Sequence, residues 1–174
     1  MGLFSLEDLF VSELRDLYSV EKQIANALPR LVKAVSSSDL RDGLHEHLEQ
    51  TREQITRLER ILERFGRPSE DEQCKGMKGL LEEVEELMSE RGENVVIDAG
   101  LIAAIQKVEH YEIAAYGTVR AFADRLGQQE AAALLEETLE EEKEADQIFS
   151  EIAMAIVNEE AAAVTNSVGR TPES

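Results

Sequence analysis

Apolar residues return at helical spacing in five separate stretches of this sequence, and a chain so patterned folds by packing helices against one another. The first stretch runs from about Ser5, a candidate N-cap, to Val35, with a stripe of Leu6, Phe10, Leu14, Leu17, Ile24, Leu28 and Leu31. Pro29 falls inside it and predicts a kink or loosened last turns, because proline lacks an N–H and crowds the preceding turn. "SSSD" (36–39) reads as a turn, with Ser38 or Asp39 capping the next helix. That second helix, about Asp39 to Phe65, carries Leu40, Leu44, Leu48, Leu58 and Leu62. It stops at "FGRP", a glycine just past the stripe with proline beyond it. A polar link, "SEDEQC", leads to a shorter amphipathic helix from about Lys75 to Glu90, which "RGEN" breaks. Two further long helices follow, about Val95 to Leu126, stopped at Gly127, and about Gln128 to Val157.

Four long helices in two pairs, each pair joined by a short turn, make antiparallel neighbours. The connection between the pairs is about 30 residues long and holds the short helix, so the second pair is placed by a crossover. The fold expected is all-α, an antiparallel four-helix bundle with a long crossover connection carrying a short extra helix. One domain spans residues 1–157, and 158–174, small and polar, is read as a flexible tail. The size and composition agree: 174 residues, 43% of them hydrophobic, bury enough surface for one proper core.

Charge narrows the partners. Against 18 basic residues stand 37 acidic ones, a net charge of −19 that repels phosphate backbones and anionic lipid. Nucleic acid and membrane are therefore not expected as partners, whereas cations are drawn to any acidic pocket. Cys74 is the single cysteine, so no internal disulfide forms and a reducing compartment suits the chain. The N-terminus has no basic region ahead of an apolar run, and no segment approaches the roughly 20 apolar residues that span a bilayer. A cytoplasmic location is expected.

The apolar stripes are interrupted by acids. Successive helical residues turn by about 100°, which places Glu21 in line with Leu17, Ile24 and Leu28. "QKVEHYEIAAYG" (106–117) puts Glu109 at the centre of its stripe and Glu112 one turn on. Glu142 lies between Leu135, Thr138 and Phe149, with Asp146 beside it. On the second helix Glu46, Glu49 and Glu53 point away from the leucines, while His47, Thr51 and Gln54 point toward them. All these inward groups lie near the middle of their helices, so packing brings them to one level.

Such a layer needs compensation. An unpartnered buried carboxylate costs several kcal/mol, and neighbouring carboxylates raise one another's pKa. A domain is stable by only about 5–15 kcal/mol. No Lys or Arg faces inward at that level, so two divalent cations are the natural counter-charge, and oxygen and imidazole donors suit iron or manganese. Each residue taken singly has a plainer reading. One Glu on a stripe commonly reaches water at the core's edge, and a lone inward His is commonly a hydrogen-bonded core residue. Tyr18 and Tyr116 read as core residues first, and His45 and His110 as surface residues. The coincidence of four midpoints is what favours metal.

With those residues in view, the chain resembles the YciE/YciF family of stress-associated bacterial proteins, ferritin-like proteins in the superfamily that contains rubrerythrin. The resemblance rests on "DLYSVEKQ" (16–23), "HLEQT" (47–51), "LIAAIQKVEHYEIAAYGT" (101–118) and "TLEEEKEAD" (138–146). It implies a homodimer of ferritin-like bundles with a di-metal, preferentially di-iron, carboxylate centre and a role in stress. Fe(II) oxidation or peroxide reduction is the chemistry implied. The superfamily draws Glu-x-x-His from two helices. Here the second helix has no inward Glu and the fourth offers Glu142 and Asp146 without His.

The expected ligands are Glu21 on one metal and Glu142 on the other, with Glu109 and Glu112 bridging or chelating. Asp146 and His47 complete the sphere or tune it. The alternative is a non-enzymatic helical stress or interaction protein that kept the bundle and lost its redox chemistry.

Overall fold

The computed structural model describes residues 2–66 and 73–168. Arg67 and Pro68 of the stop signal, the first part of the polar link and the tail beyond Val168 lie outside the described residues. The remainder is helical: α1 (Leu6–Ala34), α2 (Ser38–Arg64), α3 (Lys75–Ser89), α4 (Asn94–Arg125), α5 (Gln129–Ile152) and α6 (Asn158–Val168). No strand occurs among the described residues.

The helix ends follow local chemistry. Ser5 caps α1, its hydroxyl accepting from the Asp8 N–H at 3.0 Å. At the far ends of α2 and α4, Gly66 and Gly127 take φ of +60° and +70°, a left-handed conformation that glycine adopts without strain. One expectation shifts. The cap of α2 is Ser37, whose side chain accepts from Leu40 N, rather than Ser38 or Asp39. Around Pro29 α1 stays helical to Ala34, with Leu28, Leu31 and Val32 buried on either side of it.

α1 packs on α2, α2 on α5, α5 on α4 and α4 on α1, while the backbones of the diagonal pairs stay apart and meet only through side chains at mid-bundle. Ser36 and Ser37, at the α1–α2 turn, touch Asp98 near the start of α4. Arg64, ending α2, pairs with Glu130 at the start of α5, at 2.7 Å. Every adjacent pair is thus antiparallel. The chain leaves α2 at one end of the bundle and re-enters at the other with α4, so α3 travels along the side, against α4 and α1. The Cys74 N–H donates to Ser19 Oγ at 2.9 Å and ties the start of α3 to α1. The architecture is the antiparallel bundle with crossover that the hydrophobic pattern predicts.

The far end of α5 departs from expectation. Where a frayed tail was read from residue 158, the helix passes through a π-helical stretch, Ala153–Val157, into α6. Glu159 and Glu160 in the first turn of α6 suit a helix N-terminus, and the alanines behind them favour helix.

Asp98, 1% exposed, holds the closed end of the bundle. It accepts from Ser36 N and Ser37 N, at 3.1 and 2.8 Å, and from Ser36 Oγ at 2.6 Å. A buried carboxylate serving structure is therefore fully partnered in this protein. Asp98→Ala strips those donors of their acceptor and is expected to cost about 3 kcal/mol. That lowers the melting temperature by about 6–12 °C, measurable by calorimetry.

Candidate metal centre

The core is cut in two. One apolar cluster, with Ile24, Leu28, Leu44, Leu48, Ile105 and Phe149, fills the α1–α2 turn end. Another, with Phe10, Leu14, Leu58, Tyr116, Val119 and Leu135, fills the opposite end. Between them lies a layer of polar side chains drawn from all four long helices: Glu21, His47, Thr51, Gln54, Glu109, Glu112, Thr138 and Glu142. The four glutamates are 0% exposed and His47 is 3% exposed. Helical period explains the set, since Glu109, Glu112 and Tyr116 fall at i, i+3 and i+7 on one face of α4.

His47, Glu109, Glu112 and Glu142 each offer one donor atom such that all four lie within 4.8 Å of one another. Donors around a divalent ion at about 2.0–2.2 Å sit at most about 4.4 Å apart. A small inward movement therefore closes this cage on an ion. His47 Nε2 stands 3.4 Å from Glu109 Oε1, and the His47 ring meets Phe149 edge to face at 6.2 Å. Glu21 stands beside the cage next to Glu112 and takes a hydrogen bond from the Tyr116 hydroxyl at 2.5 Å.

Asp146 stands apart. Its side chain is 22% exposed and meets His110 at 3.4 Å and Gln106 at 3.2 Å. His45 and His110 are exposed, and Tyr18 donates to Glu59 at 3.0 Å rather than to the layer.

Electrostatics defines the problem these residues share. Burial, then the negative charge of Glu142, raises Glu21, Glu109 and Glu112 well above the ordinary carboxyl range; at Glu21 the Tyr116 hydrogen bond opposes the rise. Burial lowers His47, against an opposing pull from Glu142, so His47 is a neutral imidazole. Tyr116 is raised by burial and by the charge of Glu21.

With the carboxyls ionised, Glu21 Oε2, both nitrogens of His47, Gln54 Oε1, both oxygens of Glu109 and of Glu112, and Glu142 Oε2 have no hydrogen-bond partner. Asp98 shows what this chain does with a carboxylate it needs for structure. These donors are arranged for something else, and their oxygen and imidazole atoms fit a divalent transition metal.

The partners of Gln54 and the Arg57–Glu141 pair escaped the sequence reading. Gln54 faces inward as the wheel predicts, but its role is specific: Nε2 donates to Glu142 Oε1 at 2.5 Å and to Glu141 Oε2 at 3.0 Å. Glu141 is in turn clamped by both terminal nitrogens of Arg57, at 2.5 and 2.7 Å. Arg57 sits one turn beyond Gln54, and Glu141 adjoins Glu142. Those spacings were visible, but acids are too common on these helices for them to stand out.

A family model described as a domain of unknown function, DUF892, matches residues 5–162. The chain belongs to the DUF892 family. Protein YciF of Escherichia coli (strain K12) is 44% identical over 162 residues, 92% of this chain and 98% of YciF. The crystal structure of the E. coli stress protein YciF superposes with a TM-score of 0.86 over 90% of this chain and 99% of that one. YcfI of Rhodopseudomonas palustris, given a provisional structural assignment, has a TM-score of 0.81 at 39% identity, covering 84% of this chain and 93% of its own. A Xanthomonas campestris protein at 22% identity shares the fold, with a TM-score of 0.68 over 87% of this chain and 92% of that one. The likeness to YciF read from four short motifs thus extends over most of the DUF892 chain. No helix among the described residues is long and apolar enough to cross a membrane.

Proposed function

We propose that this chain is a dinuclear metal-carboxylate protein of the stress response, with iron the preferred metal, that oxidises Fe(II) or reduces peroxide. One observation carries the reading. Four fully buried glutamates and a buried neutral histidine converge at mid-bundle with most of their donor atoms unpartnered. His47, Glu109, Glu112 and Glu142 would hold one ion. Glu21, beside Glu112, would supply the anionic ligand for a second on the α1 side. Asp146, at the rim beside His110, is placed to attract incoming cations or to bias Glu109 electrostatically.

Two bound iron ions would supply one electron each to a two-electron oxidant. The surrounding apolar clusters keep bulk water from the site, and Tyr116 and Gln54 hold the carboxylates of Glu21 and Glu142 in place. The stress association follows the description of YciF as a stress protein. Exposed apolar side chains, Phe4 at 93% and Met154 at 75%, offer contact surface for the homodimer proposed here, and the acidic, single-cysteine chain suits the cytoplasm.

Elemental analysis of protein purified from iron-supplemented cells tests this reading, with a value near two metals per chain expected. Glu142→Ala should lose at least half of that metal, and Fe(II) oxidation above the buffer rate should vanish with it. Less than stoichiometric metal in the unmodified protein, and no melting shift on chelation, would sink the reading.

A second reading is a helical structural or interaction protein with no redox activity. The provisional structural assignment of YcfI and the direct Gln54–Glu142 hydrogen bond favour it. On that reading Glu142→Ala leaves no metal-dependent change to see.

A further inference from the structure

A cavity of about 20 Å³ lies under α3, walled by Ile24 and Leu28 of α1, Leu81 and Val84 of α3, and Ile105 and Val108 of α4. Its remaining lining includes two residues of the polar cage, His47 and Glu109. Both are almost wholly buried and line the cavity through carbon atoms, their nitrogen and oxygen atoms adding no polar surface to it. The space is about that of one small molecule, and every other lining side chain is apolar. An ordered water needs two to four polar partners, so the apolar stretch is dry and suits a small apolar guest. Leu81, half-buried, forms the outer wall, while Val84 sits deeper at 3% exposure.

The opposite flank has a different character. Along the α2–α5 seam Glu141, 21% exposed, hydrogen-bonds Gln54, which reaches Glu142. That flank is polar, with the Arg57 guanidinium bridging Glu141 and Glu137 across it. The two sides of the centre thus differ in character, one apolar and one closed by an ion-paired network.

We propose that the cavity beneath α3 binds dioxygen and delivers it to the His47–Glu109 side of the centre. This rests on the metal-centre reading and adds the identity of the oxidant and its route. Dioxygen has no dipole and no hydrogen bonds to give up on entering an apolar passage. Hydrogen peroxide and hydrated Fe(II) leave polar solvation behind and are disfavoured there. In the reaction this route would serve, dioxygen would take one electron from each of two Fe(II) ions held by the cage, with two protons, and leave as hydrogen peroxide.

The test combines a guest atom with variants of the cavity wall. Krypton-pressurised crystals of the metal-free protein should show anomalous density between Leu28, Val84 and Val108. Val84→Phe, which fills the cavity, should abolish that density and keep the metal content of the unmodified protein. It should slow dioxygen-driven Fe(II) oxidation at least tenfold while peroxide-driven oxidation stays within twofold. Val84→Ala, which enlarges the space, should raise krypton occupancy and the dioxygen rate, and it covers the case in which the phenylalanine variant fails to fold. A chain that binds metal but shows no krypton, ordered water in place of krypton, or an unchanged ratio of the two oxidation rates overturns the dioxygen route alone. Absence of metal from the unmodified protein overturns the metal-centre reading, and the delivery role goes with it.

Discussion

Glu109→Gln is expected to raise the melting temperature of the metal-free protein and to remove most of the stabilisation that metal gives the unmodified one. Glu109 is raised above its ordinary value of 4.5 by burial and by Glu142, and so are Glu21 and Glu112. Below pH 4.5 all three are protonated whether the chain is folded or not, and nothing is lost. As pH rises, the unfolded chain releases these protons while the folded one holds them. Stability then falls by about 1.4 kcal/mol per pH unit for each proton held, levelling off only above the folded pKa.

His47 acts the other way. Burial lowers it from 6.5, so it costs stability as pH falls below that value. Above pH 6.5 His47 no longer contributes, and the metal-free protein should melt at lower temperature as pH rises toward the raised carboxyl range.

The neutral amide of Glu109→Gln removes one member of that coupled set. It should raise the metal-free melting temperature at pH 8.5 by several degrees, for a gain of about 2 kcal/mol. Metal inverts the pattern, because ions displace the protons and bind more tightly as pH rises. Mn(II) at 100 times its dissociation constant stabilises by about 2.7 kcal/mol, a rise of about 5–10 °C. Glu109→Gln, short of one ligand, should show little of it. Calorimetry with chelator or with Mn(II), at pH 6.5 and 8.5, reads both effects. Melting shifts of the same sign in both states would contradict the assignment of Glu109 as a ligand.

Helical angle was enough to find the inward groups of the polar layer, because a residue's face depends only on its own neighbours. Glu21, His47, Gln54, Glu109, Glu112 and Glu142 all occupy the inward positions that 100° per residue assigns them. Asp146 shows the limit of that reasoning. Four residues past Glu142 it is rotated by about 40°, enough to leave it at the rim beside His110.

Partnerships across long separations were not legible. Nothing in the sequence around Asp98 marks its role, because its donors stand some 60 residues earlier in the chain. The Arg57–Glu141 clamp needed the α2–α5 packing to appear at all. The cavity under α3 depends on the space left between three helices, which no single stripe encodes. Helix boundaries held to within about a residue except after Ile152, where the π-helical stretch let the chain continue as helix.

Gln54→Glu is the sharpest test of why the centre is unequal across its helices. Gln54 supplies the one inward amide of the layer among the described residues and donates to two carboxylates at once, those of Glu142 and Glu141. In the metal-free protein above neutral pH, glutamate there removes both donations and adds a buried negative charge. The folded chain must then hold an extra proton or accept repulsion, and a loss of about 3–5 kcal/mol is expected. The melting temperature should fall by about 10 °C or more. With Mn(II) present the sign changes, because α2 now offers an anionic oxygen beside Glu142. Affinity should rise at least about tenfold, equivalent to about 1.4 kcal/mol. Gln54→Leu is the control: it loses the same hydrogen bonds but adds no ligand, so it should be destabilised with metal and without. Titration calorimetry with Mn(II), paired with melting curves, separates the two variants. Equal metal affinity in both would place the α2 position out of reach of the ion, and the imbalance would then lie in the helix packing rather than in the amide.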